Sequence, residues 1–342
     1  MVCSSRTWGT KIIFNERHQL SLERIKDQFR TANQEKAIEA CKLYLQQSPN
    51  NLEALKLLAT MYGVIADFKN AILMSKKYHQ LDKNDAEVIY NLAFFERQSL
   101  HFQESERWIK IFLELKPDSY EGWVALSEIQ IKLRLFEKSL EYSQTALKYQ
   151  QNDPSIFFSR ALCYKELKRY QEAIAELNLI KKLIPESLEV FIELGEIYNL
   201  LENFDLANEC FNNALQISPK DLESLFIQTR AKLALGKLND AFEDYNILIN
   251  NNFKLGEVLH LKALLLMQVK KYDMALPLLI DACEFGNKTS LLSVSQCYHH
   301  LENYQEALTY IDLYLSTNKE DANAWSWREK NLLALNQGRK DN

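Results

Sequence analysis

The feature that most constrains this chain is a small residue that returns at a fixed interval. Ala37, Ala71, Ser105, Ser139, Ala173, Ala207, Ala241 and Ala275 each stand 34 residues apart, and Ala307 follows after 32. A period of this length marks a stack of supersecondary units in place of one globular core. Three residues ahead of each small position comes a ring or large aliphatic: Phe68, Phe102, Phe136, Tyr170, Phe204, Leu238, Tyr272 and Tyr304. Gln34, in the first repeat, breaks that rule.

With Leu52 as position 1 of a unit, Leu55, Leu58, Ala59 and Tyr62 fall at positions 4, 7, 8 and 11, one face of a helix. A second helix starts near position 18 and carries small or apolar residues at 20, 24 and 27, seen cleanly in Ala207, Phe211 and Ala214. Each unit is therefore a helical hairpin. The small residue at position 20 marks a helix crossing with no room for a branched side chain. One hairpin cannot bury such a stripe alone, so neighbours must stack. Pro49, Pro117, Pro185 and Pro219 close four units where the second helix has to stop. The remaining breakers are few, with 8 Gly and 6 Pro in 342 residues, which suits an all-α chain.

Spacing and residue type together resemble the tetratricopeptide repeat over residues 18–335. The unit 188–221 carries the pattern best, in Leu194, Gly195, Tyr198, Phe204, Ala207, Phe211, Ala214 and Pro219. The resemblance implies a right-handed α-solenoid of about nine helix-turn-helix units with a C-terminal capping helix. The expected organisation is an N-terminal segment 1–17, an irregular first repeat 18–51, seven units over 52–287, a final repeat 288–321, and a capping helix and tail 322–342 containing Trp325 and Trp327. The unit 256–287 is two residues short and ends in Phe285-Gly286-Asn287.

Charge and composition narrow the function. A net charge of -5 with Lys and Arg spread along the length gives no footprint for nucleic acid. The first residues offer only Ile12, Ile13 and Phe14 as an apolar run, too short for a signal peptide, and no stretch approaches a membrane span. A cytoplasmic protein without membrane insertion is expected. The six cysteines (Cys3, Cys41, Cys163, Cys210, Cys283 and Cys297) form no metal-binding or redox spacing and read as small buried hydrophobes. His299 and His300 adjoin, but neighbours in sequence do not share a helix face, so no metal site is expected. Phosphate-binding, nucleophile-elbow and zinc-protease motifs are all missing, and neither catalysis nor a cofactor is expected.

The resemblance implies a peptide-binding module whose concave surface is lined by the first helix of each unit. Helical geometry places positions 2, 5, 6, 9 and 13 opposite the core face. Several residues there are large and apolar, and Tyr90, Phe94, Val124, Phe158, Ile192 and Phe226, with Arg230, form the candidate groove. Two readings stand: the row is a partner-binding groove, or it is half-buried packing between neighbouring first helices. The family's carboxylate clamp is not formed, since Lys56 and Asn91 fit it but Thr60, Glu121 and Ala125 replace the other three residues. The asparagine ladder of glycosyltransferase arms is absent as well. Glu53, Glu87, Glu121, Glu189, Glu223 and Glu257 recur at position 2, and Asn50, Asn84 and Asp118 three residues before the first three suggest capping boxes.

The sequence thus predicts a non-catalytic scaffold that holds a peptide or helical segment of another protein in a partly hydrophobic groove. Two alternatives remain, the recognition arm of a protein glycosyltransferase or similar enzyme system, and an envelope or pilus assembly factor.

Overall fold

The structure is a computed structural model that describes residues 22–31 and 33–338. The expected segment 1–17, the opening of the first repeat and the residues after 338 lie outside the described residues. Among the described residues nineteen helices occur and no strand. They pair into nine hairpins, from Leu22–Arg30 with Gln34–Gln47 to Ser290–His300 with Tyr304–Thr317, followed by the single helix Ala322–Gly338.

The periodic small positions are where the hairpins close. All nine, from Ala37 to Ala307, are at most 1% exposed. Hydroxyls at these crossings reach the facing backbone: Ser105 Oγ donates to the Ala93 carbonyl at 2.7 Å, and Ser295, on the helix opposite Ala307, donates its Oγ hydrogen to the Ala307 carbonyl at 2.8 Å. Such bonds require the two helices to touch with no side chain between them, which is why the position stays small. Gly195 shows the same crowding, because a Cβ there would meet Phe211 Cε1 at 2.6 Å.

The turns inside the eight hairpins from Leu52 onward are equally regular. Ala66, Leu100, Arg134, Lys168, Glu202, Lys270 and Glu302 all sit in the left-handed region at φ of 57–63°, and Gly236 takes the eighth equivalent place. Two bonds explain the conformation. Ala66 N–H donates to the Gly63 carbonyl at 3.2 Å and Asp67 N–H to the Tyr62 carbonyl at 2.9 Å, the paired bonds of a Schellman ending. The motif needs one left-handed residue, and glycine fills it once.

Six first helices, from Leu52–Val64 to Leu222–Ala234, begin on side-chain caps. Asn51 accepts from Ala54 N–H at 2.8 Å, Asp85 from Val88 N–H at 3.1 Å, and Ser119 from Gly122 N–H at 3.2 Å. The caps therefore lie one residue after Asn50, Asn84 and Asp118, which corrects the expected capping boxes. Glu53, Glu87 and Glu121 consequently fall at the second helical residue, too early to reach back as a box, although their charge still suits the helix amino terminus. The only full capping box among the described residues is Asp221 with Ser224.

The chain divides into two compact units, one up to Leu183 and one from Ile184. In the amino-terminal unit the core begins on Leu22 and Ile25, passes through Leu58, Leu92 and Phe95, and continues through Ile109, Leu126 and Ile129. In the carboxy-terminal unit it runs from Leu188 and Phe211 through Tyr245 and Leu248 to Leu279 and Val294. The helix Ala322–Gly338 then covers the end of that core with Ala324 and Asn331. Asn331 is fully buried and satisfied on both sides, its Oδ1 lying 2.6 Å from His299 Nδ1 and its Nδ2 donating to Ser295 Oγ at 3.3 Å. Trp327 packs in the same place against His299 at 5.3 Å, whereas Trp325 stays exposed. Of the described cysteines, Cys41, Cys163, Cys210 and Cys297 are buried and Cys283 is half-buried.

Candidate partner-binding surface

Four of the seven candidate residues belong to the amino-terminal unit. Tyr90, Val124 and Phe158 are half-buried, and Phe94 is 38% exposed. Tyr90 leans on Phe112 at 5.1 Å, and burial raises its hydroxyl pKa, so the ring is partly structural. Phe94 contacts Phe95 at 5.9 Å on one side and lies under the Arg97 guanidinium at 5.6 Å on the other. Arg97 in turn forms an ion pair with Glu128 from the next first helix.

Beside this row opens a cleft of about 660 Å³ whose lining includes Arg97, Phe102, Glu128, Ile131, Lys132 and Ser159, with Gln98 beside Arg97. Its size falls in the range of sites that enclose a ligand or a few side chains of a partner. The lining mixes apolar floor and charge: Phe102 and Ile131 supply carbon surface, and the Arg97–Glu128 pair crosses it. Lys132 is exposed and has no ion-pair partner among the described residues.

Arg97, Gln98, Ile131 and Lys132 were missed at the sequence level. They occupy positions 12 and 13 of their units, at the carboxy-terminal end of the first helix. Helical arithmetic already pointed to position 13, but the residues that single out the groove lie in rows 5 and 9.

The other three candidates lie in the carboxy-terminal unit. Ile192 is fully buried in the cluster of Leu188, Phe191, Ala207 and Phe211, so it presents nothing to a partner and is withdrawn from the candidate surface. Phe226 is half-buried, 6.0 Å from Phe253, with the Lys254 ammonium 5.1 Å above it. Lys254 is itself fixed by Glu223 at 2.7 Å. Arg230 is held between Glu193 at 2.9 Å and Glu196 at 2.5 Å. Burial works against its charge, but the two carboxylates outweigh it and raise the guanidinium pKa. A side chain committed to two carboxylates serves chiefly to tie adjacent first helices together.

Packing thus buries Ile192 fully and Tyr90, Val124, Phe158 and Phe226 in part, whereas Phe94 and the neighbouring cleft offer accessible surface. Among the described residues no three His, Cys, Asp or Glu side chains are placed to hold a metal ion. No helix of those residues is long and apolar enough to cross a membrane.

Comparison with known proteins agrees with this architecture. Tetratricopeptide repeat family models match residues 124–187 and 188–221. The BBSome complex member BBS4 of Bos taurus is 27% identical over 208 residues, which is 60% of this chain and 40% of the relative. The protein O-mannosyl-transferase TMTC1 of Homo sapiens is 26% identical over 189 residues, 52% of this chain and 21% of the relative. The chain thus spans less than half the length of either relative. Among solved structures, the APC/C hetero-tetramer Cut9–Hcn1 aligns at a TM-score of 0.55 and 14% identity, over 88% of this chain and 59% of that one, which shows a shared fold.

Proposed function

The chain is a tetratricopeptide-repeat protein, and from that premise we propose that it acts as a non-catalytic cytoplasmic scaffold, binding a segment of a partner protein across the first helices of its amino-terminal unit. The observation that carries this reading is the accessible Phe94 ring beside the 660 Å³ cleft, in a row with Tyr90, Val124 and Phe158. A partner side chain laid on that row would remove carbon surface from water on both molecules, worth about 25 cal/mol per Å² before ordering costs are subtracted. Lys132 at the rim adds an unpaired cation, which favours a segment carrying a carboxylate near its apolar anchor.

The test is capture from native lysate by immobilised wild-type chain and by the Phe94→Ser and Phe158→Ser variants, with helical content followed by circular dichroism. The variants are expected to keep their helices and lose the specific partner. Undiminished capture by both would place the partner elsewhere. A second reading makes the chain the recognition arm of a transferase assembled from separate polypeptides, and the likeness to TMTC1 supports it. Under that reading, transferase activity co-purifies with wild type and is lost with Phe94→Ser.

A further inference from the structure

Two of the large residues that stand three before a small position, Phe204 and Leu238 of the carboxy-terminal unit, are exposed to solvent. Leu238 is 39% exposed at the start of Leu238–Asn250. Across from it, Val269 in the turn after Leu255–Gln268 is 51% exposed and Met274 in the first turn of Tyr272–Glu284 is 50% exposed. Between them lies a cleft of about 400 Å³ with Phe242, Leu265 and Leu266 forming the rest of its apolar wall. This edge is formed by the turns within hairpins and is separate from the amino-terminal unit's surface described above.

The residues that line the cleft carry charge of one sign. Lys271 is the single charged residue among those lining it, and Lys237 and Lys270 adjoin Leu238 and Val269 in the chain. All three are exposed, and none has an ion-pair partner among the described residues. Lys262 adds a fourth cation: its ammonium lies 4.6 Å from the Phe242 ring centre and donates to Asn246 Oδ1 at 2.6 Å in place of any carboxylate. Burial lowers its pKa. The nearby acids Asp240 and Asp273 occupy the first turns of their helices, where the helix amino terminus already compensates them.

We propose that this edge is a second docking site, taking an amphipathic acidic segment of a partner protein whose apolar side chains enter the cleft while flanking carboxylates reach Lys237, Lys270 and Lys271. Carbon surface at the floor and unpaired ammonium groups at the rim are complementary to such a segment and to its order of groups. The concavity favours inserted side chains over a flat lipid surface.

The probe is a fluorescein-labelled synthetic helix with leucines at i, i+3, i+4 and i+7 and glutamates elsewhere, titrated into the full chain and read by anisotropy. Two comparison peptides replace every glutamate by lysine or every leucine by alanine. Binding is expected for the first peptide alone, weakening as salt rises from about 50 to about 300 mM. Lys237→Glu with Lys271→Glu, and separately Val269→Glu with Met274→Glu, should each weaken it by about tenfold or more. Both pairs are exposed, and unchanged circular dichroism confirms that the variants fold. Phe94→Ser should leave this binding intact, which separates the site from the amino-terminal surface. Equal binding of the lysine or alanine peptide, or wild-type affinity in both double variants, overturns the proposal. So does sedimentation with phosphatidylserine vesicles that Lys237→Glu with Lys271→Glu abolishes while the acidic peptide does not bind, which would assign the edge to a membrane surface.

Discussion

Replacing Gly195 by alanine separates two opposing effects whose sizes the structure supplies. In the middle of Leu188–Leu200, alanine should be favoured over glycine by about 1 kcal/mol on backbone grounds. The added methyl, however, would lie 2.6, 2.8 and 2.9 Å from Cε1, Cζ and Cδ1 of Phe211. Phe211 is almost fully buried, with Leu188, Phe191 and Ala207 in its cluster, so the ring cannot retreat without moving its neighbours. Overpacking of this kind costs roughly 1–3 kcal/mol. The difference is a net destabilisation on the order of 1 kcal/mol, or a fall of about 2–4 °C in Tm for a unit of this size. Thermal melting followed by circular dichroism reads the fall, and hydrogen exchange localises it to the hairpin 188–216. Combining Gly195→Ala with Phe211→Leu should recover part of the loss, because the smaller side chain vacates the methyl's place. A rise in Tm for Gly195→Ala alone would show that the close crossing does not exist in solution.

Three further outcomes follow from other parts of the chain. Ala173→Leu, at a crossing with no exposed surface, should cost roughly 1–3 kcal/mol in a melt, and an unmoved transition would mean the register is wrong. Leu100→Gly removes an exposed left-handed leucine at φ 63° and should stabilise by up to about 1 kcal/mol in urea titration, since glycine's extra unfolded freedom offsets part of the relief. Asp85 is pushed up by burial but held below the usual carboxylate range by bonds from Lys56, Tyr78 and the Val88 N–H. Its contribution is thus present above the unfolded value of about 3.9 and lost as pH falls through the lower folded value. Asp85→Asn keeps a competent cap but removes that charge, so the stability of the variant should fall less between about pH 5 and pH 2 than that of wild type.

The hairpins were legible in the sequence because their requirement is steric and repeated. A crossing that admits only Ala or Ser leaves its mark at every period, and Ala37 through Ala307 behave alike in the structure. Departures solved by local partners were not legible. Arg160 and Gln228 stand at a position filled by Leu58, Leu92 and Leu126 in other units. Arg160 is buried against Glu176 at 2.9 Å, and Gln228 Nε2 donates to the Ala214 and Ile217 carbonyls at 2.9 and 2.8 Å. Neither partner could be named without coordinates. The left-handed turn residue was hidden for a different reason: its conformation is imposed by the Schellman bonds, so the sequence there reads Ala, Leu, Arg, Lys or Glu where glycine would have signalled it.

The candidate surface was readable only in part. Helical geometry located the face but could not say which residues neighbouring helices would cover, and Ile192 and Phe94 carry similar side-chain chemistry with opposite fates. Position 13 was within reach of the same arithmetic, yet Gln98 and Lys132 gave no apolar contrast to draw attention to them.

The measurement that tests the scaffold account most directly is site-specific photocrosslinking, with a photoreactive amino acid placed at Phe94 and, as reference, at exposed Leu73 on a second helix. The account predicts a discrete protein adduct from position 94 in native lysate and none from position 73. Adducts from position 73 with none from position 94 would contradict it.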